Sequence, residues 1–236
     1  MKIPINSHIR HRSITFWPIT GWLIGGIMAV VIYFGSAYVP MPIAVGMAIV
    51  LRILITRGKH EDSLRRCVDA FFYGKTPSEI IDRQRSNSLR VIGLIALLVY
   101  LILLFTSLCA LSPQTAALTI FAAEPFSKMV ASQLVQMLPY AWNTMENDME
   151  VAFRKPDVKT GILLFLQGIV PLGIMLYVTK ARWDLLVFVP CLVMYFLYLL
   201  MWNRLKGYNA HCLNMVARLI ELTLIITAAA LFYGLV

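Results

Sequence analysis

The sequence has few charged residues, and acidic residues are especially scarce. Only 14% of the 236 residues are charged, with 12 Asp and Glu in total, whereas 59% are hydrophobic. Soluble globular domains carry about 25% charged residues. The composition therefore excludes an ordinary soluble domain and indicates a polytopic membrane protein.

Cysteine is also scarce, and its spacing excludes several kinds of site. The four cysteines are Cys67, Cys109, Cys191 and Cys212. They form no C-x-x-C or zinc-ligand pattern, so we expect neither a zinc site nor a structural disulfide. The sequence also lacks a phosphate-binding glycine loop, a Ser–His–Asp arrangement and a haem-attachment motif.

Long apolar runs are the main feature that the sequence does contain. A bilayer core about 30 Å thick requires about 20 apolar residues per helix. We therefore predict an all-α fold, a polytopic transmembrane helix bundle that forms a single integral membrane domain over residues 1–236. The runs predict about seven spans, at 17–39, 42–56, 91–111, 115–140, 161–179, 184–202 and 213–236.

The second run is the least certain span because it is short. It ends near Arg52, whose long side chain we expect to extend toward the lipid headgroups. A tilted or re-entrant segment is the alternative for this run.

The distribution of Lys and Arg predicts the orientation of the bundle. With a cytoplasmic N-terminus, sixteen of the 21 basic residues lie inside, whereas Lys180 and Arg182 alone lie outside. Cytoplasmic loops of membrane proteins are rich in basic residues. The net charge of +9 therefore requires no nucleic-acid partner. The polar loops then share the cytoplasmic face, at 57–90, 141–160 and 203–212.

One short polar segment stands out between apolar runs. Residues 57–74, RGKHEDSLRRCVDAFFYG, contain seven charged residues and a histidine. Asp62, Arg66 and Asp69 are spaced to share one face of a predicted helix at the membrane interface. The apolar residues of this helix lie largely away from that face, and we expect them to face the membrane: Leu64, Val68, Phe71 and Phe72.

Two interpretations of this segment follow from the residues. Asp62 and Asp69 could bind Mg²⁺ with Glu61 or His60 as a further ligand, because Mg²⁺ prefers carboxylate oxygens together with substrate phosphates. Nearby Arg and Lys side chains would then neutralise phosphate oxygens. Alternatively, Arg66 pairs with either aspartate in a ladder of weak ion pairs. The spacing alone favours the ion pairs.

Charged residues also occur inside two predicted spans. Glu124 and Lys128 are four residues apart, and Arg218 and Glu221 are three apart. Charges inside a membrane are costly and usually face the bundle interior or a water-filled cavity. They indicate either a pocket for a large polar ligand or pairs that neutralise one another. Glu124 and Lys128 are also the sole support for a third hypothesis, a small transporter.

Four segments resemble one known family in the same order along nearly the whole chain. Of the pattern T-x-G-x-H-x-D-G-L-A-D-x-x-D-G-F, the segment TRGKHEDSLRRCVDAF keeps Thr56, Gly58, His60, Asp62, Leu64, Asp69 and Phe71. FWPITGWLIGG, SKMVASQLVQMLPYA and LKGYNAHCLNMVARLIEL resemble the other motifs, with Gly207 and Glu221 as the firm matches in the last. The pattern is that of the cobalamin synthase family, the membrane-bound adenosylcobinamide-GDP ribazoletransferases.

Several polar positions depart from the family pattern. Arg66 and His211 each stand where the family has Asp, Ser86 and Ser88 stand where it has Asp and Arg, and Ser63 and Asn214 stand where it has Gly. These departures motivate an alternative hypothesis. The chain would then be a catalytically inactive relative that acts as a membrane scaffold or a corrinoid-binding protein.

The resemblance implies a reaction in the last steps of cobalamin biosynthesis. α-Ribazole, or its 5′-phosphate, would be joined to adenosylcobinamide-GDP, and GMP would be released. The resemblance implies Mg²⁺ as the cofactor. The residues expected to act are Asp62 and Asp69 as metal ligands, His60 and Glu61 in catalysis, and Arg57, Lys59 and Arg85 at the substrate phosphates.

The resemblance also implies the surroundings of the protein. We expect a multi-pass protein of the bacterial cytoplasmic (inner) membrane, in contact with the lipid bilayer and with both substrates. A homo-oligomer is compatible with the sequence.

Overall fold

The structure is a computed structural model that describes residues 14–86, 89–141 and 157–232. The described residues form α-helices and no β-strand, as the apolar runs predict. The helices are α1 Trp17–Gly35, α2 Met41–Thr56, α3 Lys59–Tyr73, α4 Pro77–Arg85, α5 Val91–Cys109, α6 Pro113–Met137, α7 Val158–Thr179, α8 Trp183–Arg204 and α9 Ala210–Phe232.

The helices make this a multi-pass membrane protein. In the described part of the chain, α1, α5, α7, α8 and α9 are each long and apolar enough to cross a membrane. The pair α2 and α3 reaches the same hydropathy together but bends by 85° between the two helices, and it gives a sixth span if it is counted as one. The expected number of about seven spans is therefore approximate.

Side-chain caps fix where several helices begin. Ser112 accepts a hydrogen bond from the backbone N–H of Thr115 at the start of α6. Asp157 accepts one from the N–H of Thr160 at the start of α7. The first turn of a helix leaves backbone N–H groups without partners, and these side chains satisfy them.

Helix α6 lies at the centre of the bundle and packs against α1, α7 and α9. Close contact with α1 depends on glycine, because a Cβ atom at Gly21 would lie 2.7 Å from the backbone of Pro125. On the α7 side, a Cβ atom at Gly168 would lie 2.4 Å from Cβ of Met129. Small residues of this kind let helix backbones approach closely in membranes.

The turn between α2 and α3 changes the direction of the chain by 85° within two residues. Arg57 and Gly58 both adopt the left-handed conformation, with φ of 54° and 63°. Helix α3 then runs across one end of the bundle and packs against α4, α5 and α9. Leu64 and Phe71 are buried in this contact, so the expectation that they face the membrane is wrong for both. Phe72 is 65% exposed.

The polar segments meet at the same end of the bundle as α3. Arg204, at the end of α8, donates hydrogen bonds from Nη2 to the carbonyl oxygens of Phe71 and Gly74, at 3.0 and 2.7 Å. The N–H of Tyr208 donates to the carbonyl of Pro139 at 2.9 Å. Residues 57–74 and 203–212 therefore border one polar end of the molecule, next to Ala141, whereas residues 142–156 of the third predicted loop lie outside the described residues. The assignment of this polar end to the cytoplasm stays a prediction.

Candidate functional site

The polar end is centred on a contact between the first turns of α3 and α9. His60 Nδ1 lies 3.1 Å from Asn214 Oδ1. Ser63 Oγ lies 3.2 Å from His211 Nδ1 and 3.3 Å from Asn214 Nδ2. His60 and His211 are both partly exposed. Two segments that are about 150 residues apart in sequence thus form one polar cluster, the α3–α9 cluster, consisting of His60, Ser63, His211 and Asn214.

Asp62 and Asp69 both contact Arg65. Arg65 Nη2 lies 2.8 Å from Asp62 Oδ1, and Arg65 Nη1 lies 3.4 Å from Asp69 Oδ2. Asp69 Oδ1 also accepts the backbone N–H of Gly93 at 2.8 Å. The two carboxylates differ in exposure, because the side chain of Asp62 is 42% exposed and that of Asp69 is 7% exposed.

An ion-pair ladder on α3 is confirmed, with the predicted pair of Arg66 and Asp62 and with a second arginine, Arg65. Arg65 contacts both carboxylates. Arg66 Nε donates to Asp62 Oδ2, and its Nη1 donates to the carbonyls of Gln84 and Ser86 at 3.3 and 2.8 Å. Arg66 therefore connects α3 to the end of α4. Ser86 is exposed, whereas Ser88 lies outside the described residues.

The ligand set expected for Mg²⁺ does not fit this arrangement. Mg²⁺ requires carboxylate oxygens that are available to it, whereas those of Asp62 and Asp69 are held by arginines and by a backbone N–H. Within residues 14–86, 89–141 and 157–232, no three His, Cys, Asp or Glu side chains are placed to hold one metal ion. Binding of Mg²⁺ at these two aspartates stays a prediction.

The basic residues expected at the substrate phosphates border the cluster on two sides. Arg57 and Lys59 are exposed at the turn before α3. Arg85 is exposed at the last residue of α4, next to the carbonyls that Arg66 contacts. A negatively charged ligand at the polar end would meet cations from both directions.

Glu61 is directed into the bundle, away from the α3–α9 cluster. Its side chain is 6% exposed, and Oε1 lies 3.3 Å from Arg52 Nη2. Arg52 is fully buried, so the expectation that it extends to the headgroups is wrong. Arg52 Nη1 lies 2.8 Å from Glu221 Oε1, and Nη2 donates to the hydroxyl of Tyr100 at 3.0 Å.

The two charged pairs expected inside the membrane belong to one buried network. Glu124 accepts hydrogen bonds from both Nη atoms of Arg218, each at 2.8 Å, and from Lys128 Nζ at 2.9 Å. Arg218 Nη1 lies 2.6 Å from Glu221 Oε2. We call this set the interior network; its three cations and three carboxylates are Arg52, Lys128, Arg218, Glu61, Glu124 and Glu221.

The surroundings of α3 shift two pKa values outside the spans. Burial, followed by the positive charges of Arg218 and Lys128, lowers the pKa of His60 to about 3, so the imidazole is neutral at neutral pH. Partial burial raises the pKa of Asp62, but hydrogen bonds from Arg66 and Arg65 outweigh it, and the pKa lies below its ordinary value.

Several residues that shape this site were not among the predicted ones. Arg65 was identifiable, because it lies three residues after Asp62 and four before Asp69. Ser63 and Asn214 had no such signal, since each had been noted only as a departure from a family glycine. Gln84 also had none; its Nε2 lies 3.3 Å from Cys67 Sγ and 3.5 Å from Cys212 Sγ.

Comparison with known proteins gives one consistent result. The family model described as cobalamin-5-phosphate synthase matches residues 2–229. A relative from Pseudoalteromonas atlantica is 27% identical over 224 residues, which cover 92% of this chain and 82% of the relative. One from Clostridium botulinum is 25% identical over 233 residues, which cover 95% and 92%. Both are named adenosylcobinamide-GDP ribazoletransferase.

Other alignments are shorter. A relative of the same name from Leptospira interrogans is 30% identical over 151 residues, which cover 63% of this chain. The chain spans about half of the length of that relative and of one from Shewanella denitrificans, 55% and 50%. No solved structure matches the chain. With a match to the family model over nearly its whole length, the chain belongs to the cobalamin-5-phosphate synthase family.

Proposed function

We propose that the protein is an adenosylcobinamide-GDP ribazoletransferase, a membrane transferase of cobalamin biosynthesis. The observation that carries the proposal is the contact between α3 and α9. These helices hold the second and fourth family-like segments, and His60 meets Asn214 where the helices touch. Relatives that bear this name align with up to 95% of the chain.

The reaction is a transfer at phosphorus. A ribose hydroxyl of α-ribazole, or of its 5′-phosphate, attacks the phosphorus next to cobinamide. The bond from that phosphorus to the oxygen bridging the diphosphate breaks, and GMP leaves with the electron pair. The attacking hydroxyl loses its proton, and His60 is the candidate acceptor, because its imidazole is partly exposed in the α3–α9 cluster.

Basic side chains at the polar end fit a diphosphate substrate. Arg57 and Lys59 border the start of α3, and Arg85 ends α4. Fixed cations of this kind stabilise charge that moves onto phosphate oxygens during the transfer. Mg²⁺ remains part of the proposal as a cofactor, but no step is assigned to it, because the carboxylates expected to bind it are engaged by Arg65 and Arg66.

The alternative of a catalytically inactive scaffold or corrinoid-binding protein is not favoured. It rests on Arg66, Ser86, Ser88 and His211, whereas the relatives are named as transferases. The transporter hypothesis loses its support, because Glu124 and Lys128 are fully buried and bound to each other.

The cellular setting is proposed on the same basis. The apolar helices indicate a multi-pass membrane protein, and we place it in the bacterial cytoplasmic membrane with the polar end inside. Adenosylcobinamide-GDP, as named for the relatives, is then the substrate at the cytoplasmic face. Self-association into a homo-oligomer stays a prediction.

The test is turnover by the purified full-length protein in lipid nanodiscs. Adenosylcobinamide-GDP and α-ribazole are supplied, with and without MgCl₂, and GMP and the corrinoid product are quantified by liquid chromatography. We expect both products in equal amounts. Saturable binding of adenosylcobinamide-GDP without GMP release under either condition would overturn the transferase in favour of a corrinoid-binding protein. GMP release that is unchanged when a chelator is added would overturn only the role of Mg²⁺.

A further inference from the structure

The hydrogen bonds of Ser63 determine how the α3–α9 cluster is protonated. Ser63 Oγ lies 2.8 Å from the carbonyl oxygen of Lys59, one turn earlier in α3. A carbonyl can only accept, so the Ser63 hydroxyl hydrogen is donated there. The two remaining sites on Ser63 Oγ are lone pairs, which can only accept hydrogen bonds from the neighbouring side chains.

This assignment fixes the orientation of the Asn214 amide. The group that faces Ser63 Oγ must be a donor, so it is Nδ2, at 3.3 Å. The Oδ1 atom therefore faces His60 Nδ1, at 3.1 Å. Because Oδ1 can only accept, His60 carries its hydrogen on Nδ1.

The same argument applies to His211. Its Nδ1 lies 3.2 Å from Ser63 Oγ, which has only a lone pair left to offer. His211 therefore also carries a hydrogen on Nδ1. In a neutral imidazole, the second nitrogen is then an acceptor, so Nε2 of each ring presents a lone pair.

We propose that Asn214 and Ser63 are positioning residues that hold His60 and His211 as Nδ1–H tautomers, so that His60 Nε2 accepts the hydrogen of the attacking ribazole hydroxyl. The catalytic part rests on the proposed function. As the oxygen–phosphorus bond forms, the hydroxyl proton moves to His60 Nε2 and GMP leaves with the electron pair of the broken bond. The imidazolium then releases its proton to water.

The assignment concerns residues that depart from the family pattern. Asn214 and His211 stand where the family-like segment is expected to have Gly and Asp, and Ser63 stands in place of another Gly. All three departures occur in one hydrogen-bonded group with His60. We infer that these three residues act together with His60 in this chain, in place of the Asp and Gly residues of the family pattern.

The first test reads the tautomers directly. Full-length protein labelled with ¹⁵N-histidine is examined in nanodiscs by solid-state NMR, with His60→Gln and His211→Gln used to assign the two signals. We expect Nδ1 protonated and Nε2 unprotonated in both rings. Because free neutral histidine prefers hydrogen on Nε2, a signal from Nε2–H at His60 would overturn the proposal.

Two variants separate the parts of the arrangement. Asn214→Leu removes the acceptor for His60 but leaves the contact between Ser63 and His211, so the His60 tautomer should change and that of His211 should not. Asn214→Asp keeps an acceptor at the same place and should retain Nδ1–H at His60. Ser63→Ala should change the tautomer of His211, and it should also weaken the preference at His60, because Ser63 orients the Asn214 amide. Loss of the His211 signature in Asn214→Leu would contradict the assigned hydrogen bonds.

The kinetic test uses the same variants. Asn214→Leu should lower kcat by about 10²-fold while KM changes little, because positioning of a general base affects the transition state. Asn214→Asp should recover most of that loss. Equal kcat in wild type and Asn214→Leu would overturn the positioning role. If the wild type has no turnover, the proposed function and the catalytic part fail together, whereas the tautomer assignment is still decided by NMR.

Discussion

The molecule contains two polar regions, one built from buried ion pairs and the other from neutral hydrogen bonds. In the interior network, the side chains of Arg52, Glu124 and Glu221 are fully buried, and each contacts at least one opposite charge. In the α3–α9 cluster, the polar groups are linked by neutral hydrogen bonds, and all but Ser63 remain partly exposed. The two regions meet on α3, because Glu61 belongs to the first and His60 to the second.

The difference distinguishes buried charges, which stabilise the fold, from partly exposed polar groups, which can take part in a reaction. Buried ion pairs keep their partners because an uncompensated charge in a low-dielectric interior is very costly. A substrate cannot reach such groups without breaking those pairs. The half-exposed histidines and basic residues at the polar end are accessible to a ligand. Glu61, although predicted to be catalytic, is placed to attach α3 to the interior through Arg52.

The largest effect is expected from breaking the interior network. Glu124→Leu leaves Arg218, Lys128 and Arg52 without their shared carboxylate. We expect the free energy of unfolding to fall by about 3–5 kcal/mol, measured by denaturant unfolding in detergent micelles.

An exposed pair provides the control for that experiment. The side chains of Arg182 and Asp184 are 69% and 47% exposed. Asp184→Asn should leave the unfolding midpoint unchanged, because exposed pairs contribute little. Equal stability in the Glu124 and Asp184 variants would remove the distinction between the two regions.

The next prediction contrasts the neighbours His60 and Glu61. His60→Gln should lower kcat by about 10²–10⁴-fold, as for loss of a general base, with little change in stability. Glu61→Gln should lower the unfolding midpoint, because Arg52 loses one of its carboxylates. GMP release and thermal unfolding are measured on the same preparations. A Glu61 variant with full stability but no turnover would assign Glu61 to the chemistry instead.

A smaller effect distinguishes the two aspartates on α3. Asp69 accepts the buried N–H of Gly93 and contacts Arg65. We expect Asp69→Ala to cost about 1–3 kcal/mol, because that N–H loses its partner. Asp62→Ala should cost less, because this side chain is 42% exposed. Similar losses, together with loss of Mg²⁺ binding in both variants, would instead favour a shared metal site.

The smallest effect concerns acid stability. Because hydrogen bonds from Arg66 and Arg65 lower the folded-state pKa of Asp62, its contribution is present above the ordinary value of 3.8 and is lost as the pH falls through the folded pKa. The unfolding midpoints of wild type and Asp62→Asn should therefore converge below pH 3.8. A constant difference across that range would show that Asp62 stabilises α3 by some other means.

Hydropathy alone predicted the long apolar helices but not where their charged side chains lie within the bundle. The runs at 17–39, 91–111 and 184–202 correspond to α1, α5 and α8, because an apolar stretch of this length has few alternatives in a bilayer. Arg52 was misjudged for a physical reason. Its partners Tyr100 and Glu221 are distant in sequence, and without them a long basic side chain near a helix end is expected to extend outward.

Motifs identified the segment that holds the candidate site, but its contacts with other helices could be determined only from the fold. Spacing placed Asp62 and Asp69 on one face of α3, and it predicted Arg66 as their partner. Arg66 does pair with Asp62, but it also binds the carbonyls of Gln84 and Ser86 at the end of another helix, a contact that spacing could not predict. Asn214 could not be found from sequence, because its role depends on the contact of α9 with α3.

Gly93 determines how closely α3 approaches α5. A first side-chain carbon at this position would lie 2.5 Å from Asp69 Oδ2 and 2.6 Å from the carbonyl oxygen of Arg65. The separation of the two helices is therefore limited by bare backbone against a carboxylate. A methyl group at position 93 would displace the Asp69 carboxylate without altering any charge, and it would push α3 away from α5.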